Sequence, residues 1–261
     1  MPPTPRFHCP APLAAGARVL LPRGAARHVQ VLRLQPGAVI TLFGGTPSQV
    51  DGAGNGAAGG EFEASVVEMG RSDVRVLVGR HRAVEREPAR RMHLAIGMPA
   101  NERMDWLIEK ATELGVAQVQ ALMTERTVVR LDGERARKKA EHWSSIAIAS
   151  CEQCGRNQVP EVPHAMPIRQ WLAGLEPVGE AGADGVPRLV LSFRDGARPL
   201  RDVVSDAVGS TSPVIVLSGP EGGLSAAEEQ LALDRGFAPV SLGPRVLRSE
   251  TAALAALTLL A

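Results

Sequence analysis

Leu217-Ser-Gly-Pro-Glu-Gly-Gly223 and Leu242-Gly-Pro-Arg-Val-Leu-Arg-Ser-Glu-Thr-Ala252 each begin where an apolar run ends, Val214 to Leu217 for the first and Pro239 to Leu242 for the second. Short apolar runs bounded by Gly and Pro read as buried strands. Between them lies a helical stretch, Ala226 to Arg235, opened by a capping box (Ser225 with Glu228 three residues on) and closed by Gly236. Strand, helix and strand in this order make a parallel pair with a crossover helix. Both loops then sit at the carboxyl end of the sheet, where open α/β folds bind ligands, and their glycines let a ligand approach the backbone. One such loop reads most simply as a sharp turn. Two in succession, the second carrying Arg245, Arg248 and Glu250, point to a site.

The alternation extends back to Met92, with strands expected at His93 to Met98, Val116 to Met123 and Arg188 to Ser192. Helices are expected at Asn101 to Leu114, Glu134 to Cys154, Leu200 to Val208 and Glu250 to Leu260. This is an α/β domain. The pattern is different upstream: Ala17 to Leu21, Ala38 to Phe43, Glu61 to Glu68 and Val74 to Val78 are short, β-branched or alternating, with one helix among them, as in a small β-barrel. Asp51 to Gly60 reads as a hairpin connection and Gly174 to Pro187 as a surface loop. The charged stretch Arg80 to Arg91, with its proline, reads as a linker and divides the chain into 1–85 and 86–261.

Charge follows the same division. Residues 1–91 hold 12 arginines against 7 acids, although the whole chain is only +1. A basic front half suits phosphates; surface arginine in an arginine-rich composition is the plainer account. Tyrosine is absent and only 5 Phe and 3 Trp occur, which argues against a base-stacking sheet and leaves arginine and backbone to hold a nucleic acid.

Other chemistries are set aside on context. Gly54, Gly56 and Gly59 spell a dinucleotide fingerprint but lead into a strand, whereas that motif must open a helix. The three lysines, Lys110, Lys138 and Lys139, do not follow glycine, so there is no P-loop. The six histidines lack H-E-x-x-H spacing. Cys151 and Cys154 lack the second pair of a zinc ribbon and read as buried thiols, so no metal is expected. No apolar run approaches the roughly 20 residues of a membrane span, and Met-Pro-Pro-Thr-Pro-Arg lacks the features of a signal peptide, so a cytoplasmic protein is expected.

A third segment, Ile146-Ala-Ile-Ala-Ser-Cys-Glu-Gln-Cys-Gly-Arg-Asn157, ends a helix in Glu152, Gln153, Arg156 and Asn157, which suit either a base edge or a solvated helix end. Taken with Arg27-His-Val-Gln-Val-Leu-Arg33, Pro36-Gly37, Glu109-Lys-Ala-Thr-Glu-Leu-Gly115 and the two opening loops, it makes the chain resemble the ribosomal RNA small subunit methyltransferase E family of the SPOUT superfamily. The resemblance implies a PUA-like β-barrel before a SPOUT-type α/β domain with a C-terminal trefoil knot. It implies N3 methylation of uridine 1498 in 16S rRNA on the assembled small subunit, from S-adenosylmethionine to give S-adenosylhomocysteine, by a homodimer. The chain stops at Ala261, where similar proteins run somewhat further, and that departure bears on dimer strength. On this reading Leu217, Gly219, Pro220, Glu221, Gly222, Leu242, Gly243, Val246 and Leu247 wrap the cofactor. Arg245 and Arg248, then Arg156 and Arg126, face the developing negative charge on the base; Glu221, Glu250 and Glu152 stay open as proton acceptors. Arg27, His28, Arg33 and Arg126 hold RNA.

Overall fold

Alternation dictates the strands of the front half. In Val74-Arg-Val-Leu-Val78 the three valines are buried and Arg75 and Leu77 face out, the period-2 pattern of a sheet with one covered face. A computed structural model describes residues 4–45, 49–50, 56–57, 59–100, 102–176, 186–206 and 211–261. Gly54 with the rest of 51–55, residues 177–185 of the expected surface loop, Asn101, and residues 207–208 of an expected helix lie outside the described residues. Two compact units form, Met1–Glu87 with Ile148–Val159, and Pro88–Ala147 with Pro160–Ala261. The boundary thus falls between 87 and 88, and a segment the sequence placed wholly in the second domain groups with the first.

The first unit contains β1 (Arg6–His8), β2 (Arg18–Leu20), α1 (Arg23–Val31), β3 (Val39–Phe43), β4 (Gln49–Val50), β5 (Gly56–Ala57), β6 (Glu61–Met69) and β7 (Val74–Arg82). Five strands form one sheet in the order β1-β3-β6-β7-β2, with β1 parallel to β3 and the remaining pairs antiparallel. Gly59 leads into β6, which removes the dinucleotide reading of that glycine. Phe7, Ile40, Leu42, Phe62 and Val76 form the core with Ala25, Ala26 and Val29 of α1. That helix ends in a Schellman cap: Leu34 N–H donates to Val29 O (3.2 Å) and Arg33 N–H to Gln30 O (3.0 Å). The left-handed position falls on Arg33 (φ 55°). At the matching position after α6, described below, stands a glycine (Gly236, φ 79°).

Residues 148–159 are held in this unit by charge. The Arg6 guanidinium pairs with Glu61, which is 2% exposed, and donates to Asn157 Oδ1 (2.8 Å) and the carbonyl of Gly155 (3.1 Å). Arg86 adds a bond to Gly155 O (2.9 Å). Burial opposes ionisation of Glu61, but Arg6 and Arg86 outweigh it and hold the carboxyl below its usual range. Cys151 is buried and burial pushes its thiol up to about 12, whereas Cys154 is only half-buried.

The second unit contains β8 (Met92–Gly97), α2 (Arg103–Glu113), β9 (Val116–Met123), most of α3 (Gly133–Cys154), β10 (Met166–Pro167), α4 (Ile168–Ala173), β11 (Arg188–Leu191), β12 (Arg198–Pro199), α5 (Leu200–Asp206), β13 (Val214–Ser218), α6 (Ala226–Asp234), β14 (Ala238–Ser241) and α7 (Ser249–Leu260). Seven parallel strands run in the order β10-β9-β8-β13-β11-β14-β12. Buried residues occupy consecutive positions in β8 (Leu94, Ala95, Ile96), as a sheet covered on both faces requires. No helix among the described residues is long and apolar enough to cross a membrane.

The Ser225 cap of α6 is present with both halves of its box: Ser225 Oγ accepts from Glu228 N (3.3 Å) and Glu228 Oε2 from Ser225 N (3.0 Å). Ser225→Ala is expected to cost about 1 kcal/mol and lower the melting temperature by about 2–4 °C in a thermal scan.

Candidate active site

Because β11, β13 and β14 are neighbours and parallel, their carboxyl ends open on one side, and the loops that leave them line a pocket of ≈ 360 Å³. The first wall is the segment after β13. Gly223 N–H donates to Pro220 O (2.8 Å), closing a tight turn over Glu221 and Gly222. The turn is packed too closely for side chains at two points. A Cβ on Gly219 would lie 2.7 Å from the Gly223 carbonyl carbon, and one on Gly97, at the end of β8, would lie 2.4 Å from Pro220 Cδ.

Glu221 is the strut of this wall. Its Oε1 accepts from Ala100 N–H (2.9 Å) and from Arg103 Nη1 (3.0 Å), and Arg103 Nε lies 3.9 Å from Glu250 Oε1, on the first turn of α7. Burial works against ionisation of Glu221, but the Ala100 amide and Arg103 prevail and hold its carboxyl below the usual range. Glu228, 3% exposed, has a second task besides the cap: its Oε1 accepts from Glu125 N–H (2.7 Å). The next residue, Arg126, donates to Gly222 O (2.6 Å) and so closes the turn from its other side.

The second wall is the segment after β14. Leu242, Gly243, Arg245, Val246 and Leu247 line the pocket, joined by Ser249 and Ala252 of α7. Arg245 and Arg248 are exposed and form no ion pair among the described residues. The third wall follows β11, with Ser192, Phe193 and Arg194, and Ser192 Oγ donates to Glu229 Oε1 (2.5 Å).

Most of the expected residues meet here: Gly219, Pro220, Glu221, Gly222, Leu242, Gly243, Arg245, Val246 and Leu247, with Arg126 among them at the pocket. Three differ in detail. The Leu217 side chain is fully buried in the core with Val190 and Phe237, and Ser218 faces the pocket in its place. Arg248 stands at the N-cap position of α7 without a side-chain cap bond, between the pocket-lining Leu247 and Ser249, and Glu250 is buried. Glu152 and Arg156 are not among the residues that line the pocket; both take hydrogen-bond partners inside the first unit. Glu152 accepts from His8 N–H (3.0 Å) and stands 3.4 Å from His28 Nδ1; burial raises its carboxyl against those partners. Arg156 is 3% exposed and its Nε donates to both oxygens of Glu87 (3.1 Å each). A buried guanidinium on a carboxylate explains the polar helix end without a ligand. Arg27 and Arg33 are exposed on the first unit, and His28 is half-exposed with its ring edge against Phe7. Arg103, Glu229 and Phe193 carry no mark in the sequence beyond proximity to an element end, and Glu228 is marked there only as the capping partner of Ser225.

Residues 85–261 match the RNA methyltransferase domain family. Ribosomal RNA small subunit methyltransferase E of Mycobacterium tuberculosis is 31% identical over 87% of this chain and 79% of its own length, and that of Bacillus subtilis 30% over 77% of each. The chain belongs to the ribosomal RNA small subunit methyltransferase E family. Among solved structures of this family, the enzyme from Neisseria gonorrhoeae bound to S-adenosylmethionine superposes with a TM-score of 0.83 at 34% identity, over 98% of this chain and 96% of that one. A methyltransferase from Legionella pneumophila in complex with the same cofactor gives 0.83 at 35%, over 99% and 97%.

Since the Glu221 carboxyl is depressed in the folded chain, its contribution to stability is complete above the usual carboxylate pKa and is lost as pH falls through the lowered value. Glu221→Gln should therefore flatten the acid limb of a stability-against-pH curve. An acid limb identical to that of the unaltered chain would remove Glu221 from the strut.

Proposed function

We propose that this chain methylates N3 of uridine 1498 in 16S rRNA on the assembled small subunit, with S-adenosylmethionine as donor and S-adenosylhomocysteine as product. The observation that carries this reading is the single pocket built from the two Gly-Pro segments, in a chain similar over nearly its whole length to structures solved with S-adenosylmethionine. The pocket suits that donor. Leu224, Val240, Leu242 and Leu247 offer an apolar bed for an adenine, and the Gly219 and Leu247 amides have no hydrogen-bond partner among the described residues. When bound, the donor supplies a methyl carbon already activated by a sulfonium, so the chain has to align it and manage one proton.

Arg245 and Arg248, free of carboxylate partners among the described residues, are placed by this reading opposite the uracil carbonyls, where they favour the anion left when N3 loses its proton. Glu221 is a poor acceptor for that proton because Ala100 and Arg103 hold it ionised. Glu250 and the pocket-lining Glu229 are the better acceptors. Docking of rRNA is assigned to Arg27, His28 and Arg33 on the first unit, read as a PUA-like module, with Arg126 contacting RNA at the pocket. The C-terminal part of the second unit is read as a trefoil knot of the SPOUT type, which the order β13-β11-β14 supports. The same reading includes a cytoplasmic homodimer.

Incubating labelled S-adenosylmethionine with small subunits that lack the modification, then digesting to nucleosides for mass spectrometry, should find 3-methyluridine; a ribose-methylated product would sink the assignment. Gly219→Val should abolish donor binding in calorimetry. Arg248→Ala should retain binding and lose about 10²-fold or more in kcat, and the reverse pattern would overturn this division of roles. Arg33→Gly should raise the melting temperature by relieving the left-handed backbone, yet lower the salt dependence of RNA affinity by about one unit of slope. An unchanged slope would take Arg33 out of the RNA contact.

A further inference from the structure

Four of the five phenylalanines, Phe7, Phe43, Phe62 and Phe237, are buried, whereas Phe193 is 69% exposed. A single exposed apolar residue is ordinary, so its exposure decides nothing. Its position does. Phe193 follows β11 and lines the pocket described above, where it is the only aromatic side chain among the described residues, in the company of Arg126, Arg194 and Arg245.

The backbone on each side of the ring is held. Ser192 N–H donates to Val240 O (2.9 Å), Ser192 Oγ donates to Glu229, and Arg194 N–H donates back to Ser192 Oγ (3.0 Å). Three residues after Arg194, Ala197 N–H donates to Arg194 O (3.2 Å), closing the next turn. A side chain carried on such a frame has little backbone freedom to lose when a ligand meets it.

A phenyl face beside guanidinium groups binds planar aromatic rings. Two such rings come to this pocket on the methyltransferase reading, the adenine of the donor and the base of the acceptor. The adenine has the more buried apolar bed of Val240, Leu242 and Leu247. The exposed ring at the rim is left for the base that enters from RNA. We propose that Phe193 is a stacking residue for the acceptor nucleobase, positioning the uracil for transfer and selecting for a base that has left its own stack. This rests on the methyltransferase reading above and adds to it the residue that grips the acceptor. Stacking is tolerant of base identity, so the selection is for an unstacked base, and hydrogen bonds to its edge must choose uracil.

The test uses the full chain with small subunits lacking the modification, comparing Phe193→Ala, Phe193→Leu and Phe193→Trp. KM for the subunit should rise roughly tenfold or more in the alanine and leucine variants, and tryptophan should restore it. The Kd for S-adenosylmethionine and the melting temperature should stay unchanged in all three. Leucine keeps the apolar bulk and lacks the π face, so a leucine variant equal to the unaltered chain would overturn stacking. Weaker donor binding in the alanine variant would move the ring to the adenine and overturn the proposal. Unchanged KM and Kd would overturn it too, while transfer by the unaltered chain leaves the function standing. Failure of the unaltered chain to transfer methyl would overturn the function, and this proposal with it.

Discussion

At the carboxyl end of β8, Gly97 has no side chain, and the ring of Pro220 occupies the space that a Cβ would take. This close approach lets the chain turn sharply as it leaves β13, and the first wall of the pocket follows from that turn. Gly219 meets the same limit within the loop, where a Cβ would run into the Gly223 backbone. Glu221 then reaches the Ala100 amide and Arg103, and Arg103 in turn reaches toward α7. A backbone contact without room for one carbon thus sets where a carboxylate, a guanidinium and a helix start can stand.

Charge is used differently in the two units. Around the pocket, carboxylates brace loops: Glu221 holds one turn, Glu228 holds the amide before Arg126, and Glu229 holds Ser192. Among the described residues Arg126, Arg194, Arg245 and Arg248 have no carboxylate partner, which leaves their charge to offer a ligand. In the first unit two arginines are spent internally, Arg6 on the buried Glu61 and Arg156 on Glu87. Arg18, Arg23, Arg27, Arg33, Arg71, Arg75, Arg80 and Arg82 remain exposed.

Where local pattern sets structure, the sequence was legible. Val116 to Met123 is β9 to the residue, and the Ser225 box opens α6 as its spacing requires. The loops after β13 and β14 converge because parallel order forces them to. The two-residue strands β10 and β12 carry too little pattern to be seen, and β1 is three residues long. The partners of Glu152 and Arg156, His8 and Glu87, lie far away in sequence, and there a helix end facing a distant carboxylate looks the same as one facing a ligand. Phe193 was invisible for a related reason: nothing in a lone aromatic says whether the fold will cover it. Arg33 shows the limit from another side, since the cap geometry asks for glycine and the chain supplies arginine.

The grouping of residues 148–159 with the N-terminal sheet bears on the order in which the chain takes shape as it is made. Synthesis proceeds from the N-terminus, and domains generally fold as units in that direction. Here Arg6 and Glu61 emerge early, but Gly155 and Asn157, which complete the hydrogen bonds of Arg6, are made only after β8, α2, β9 and nearly all of α3. The first unit therefore cannot finish until much of the second has left the ribosome. Closing so long a loop carries an entropic cost that slows the step, and during that interval a buried charge cluster waits for its last partners.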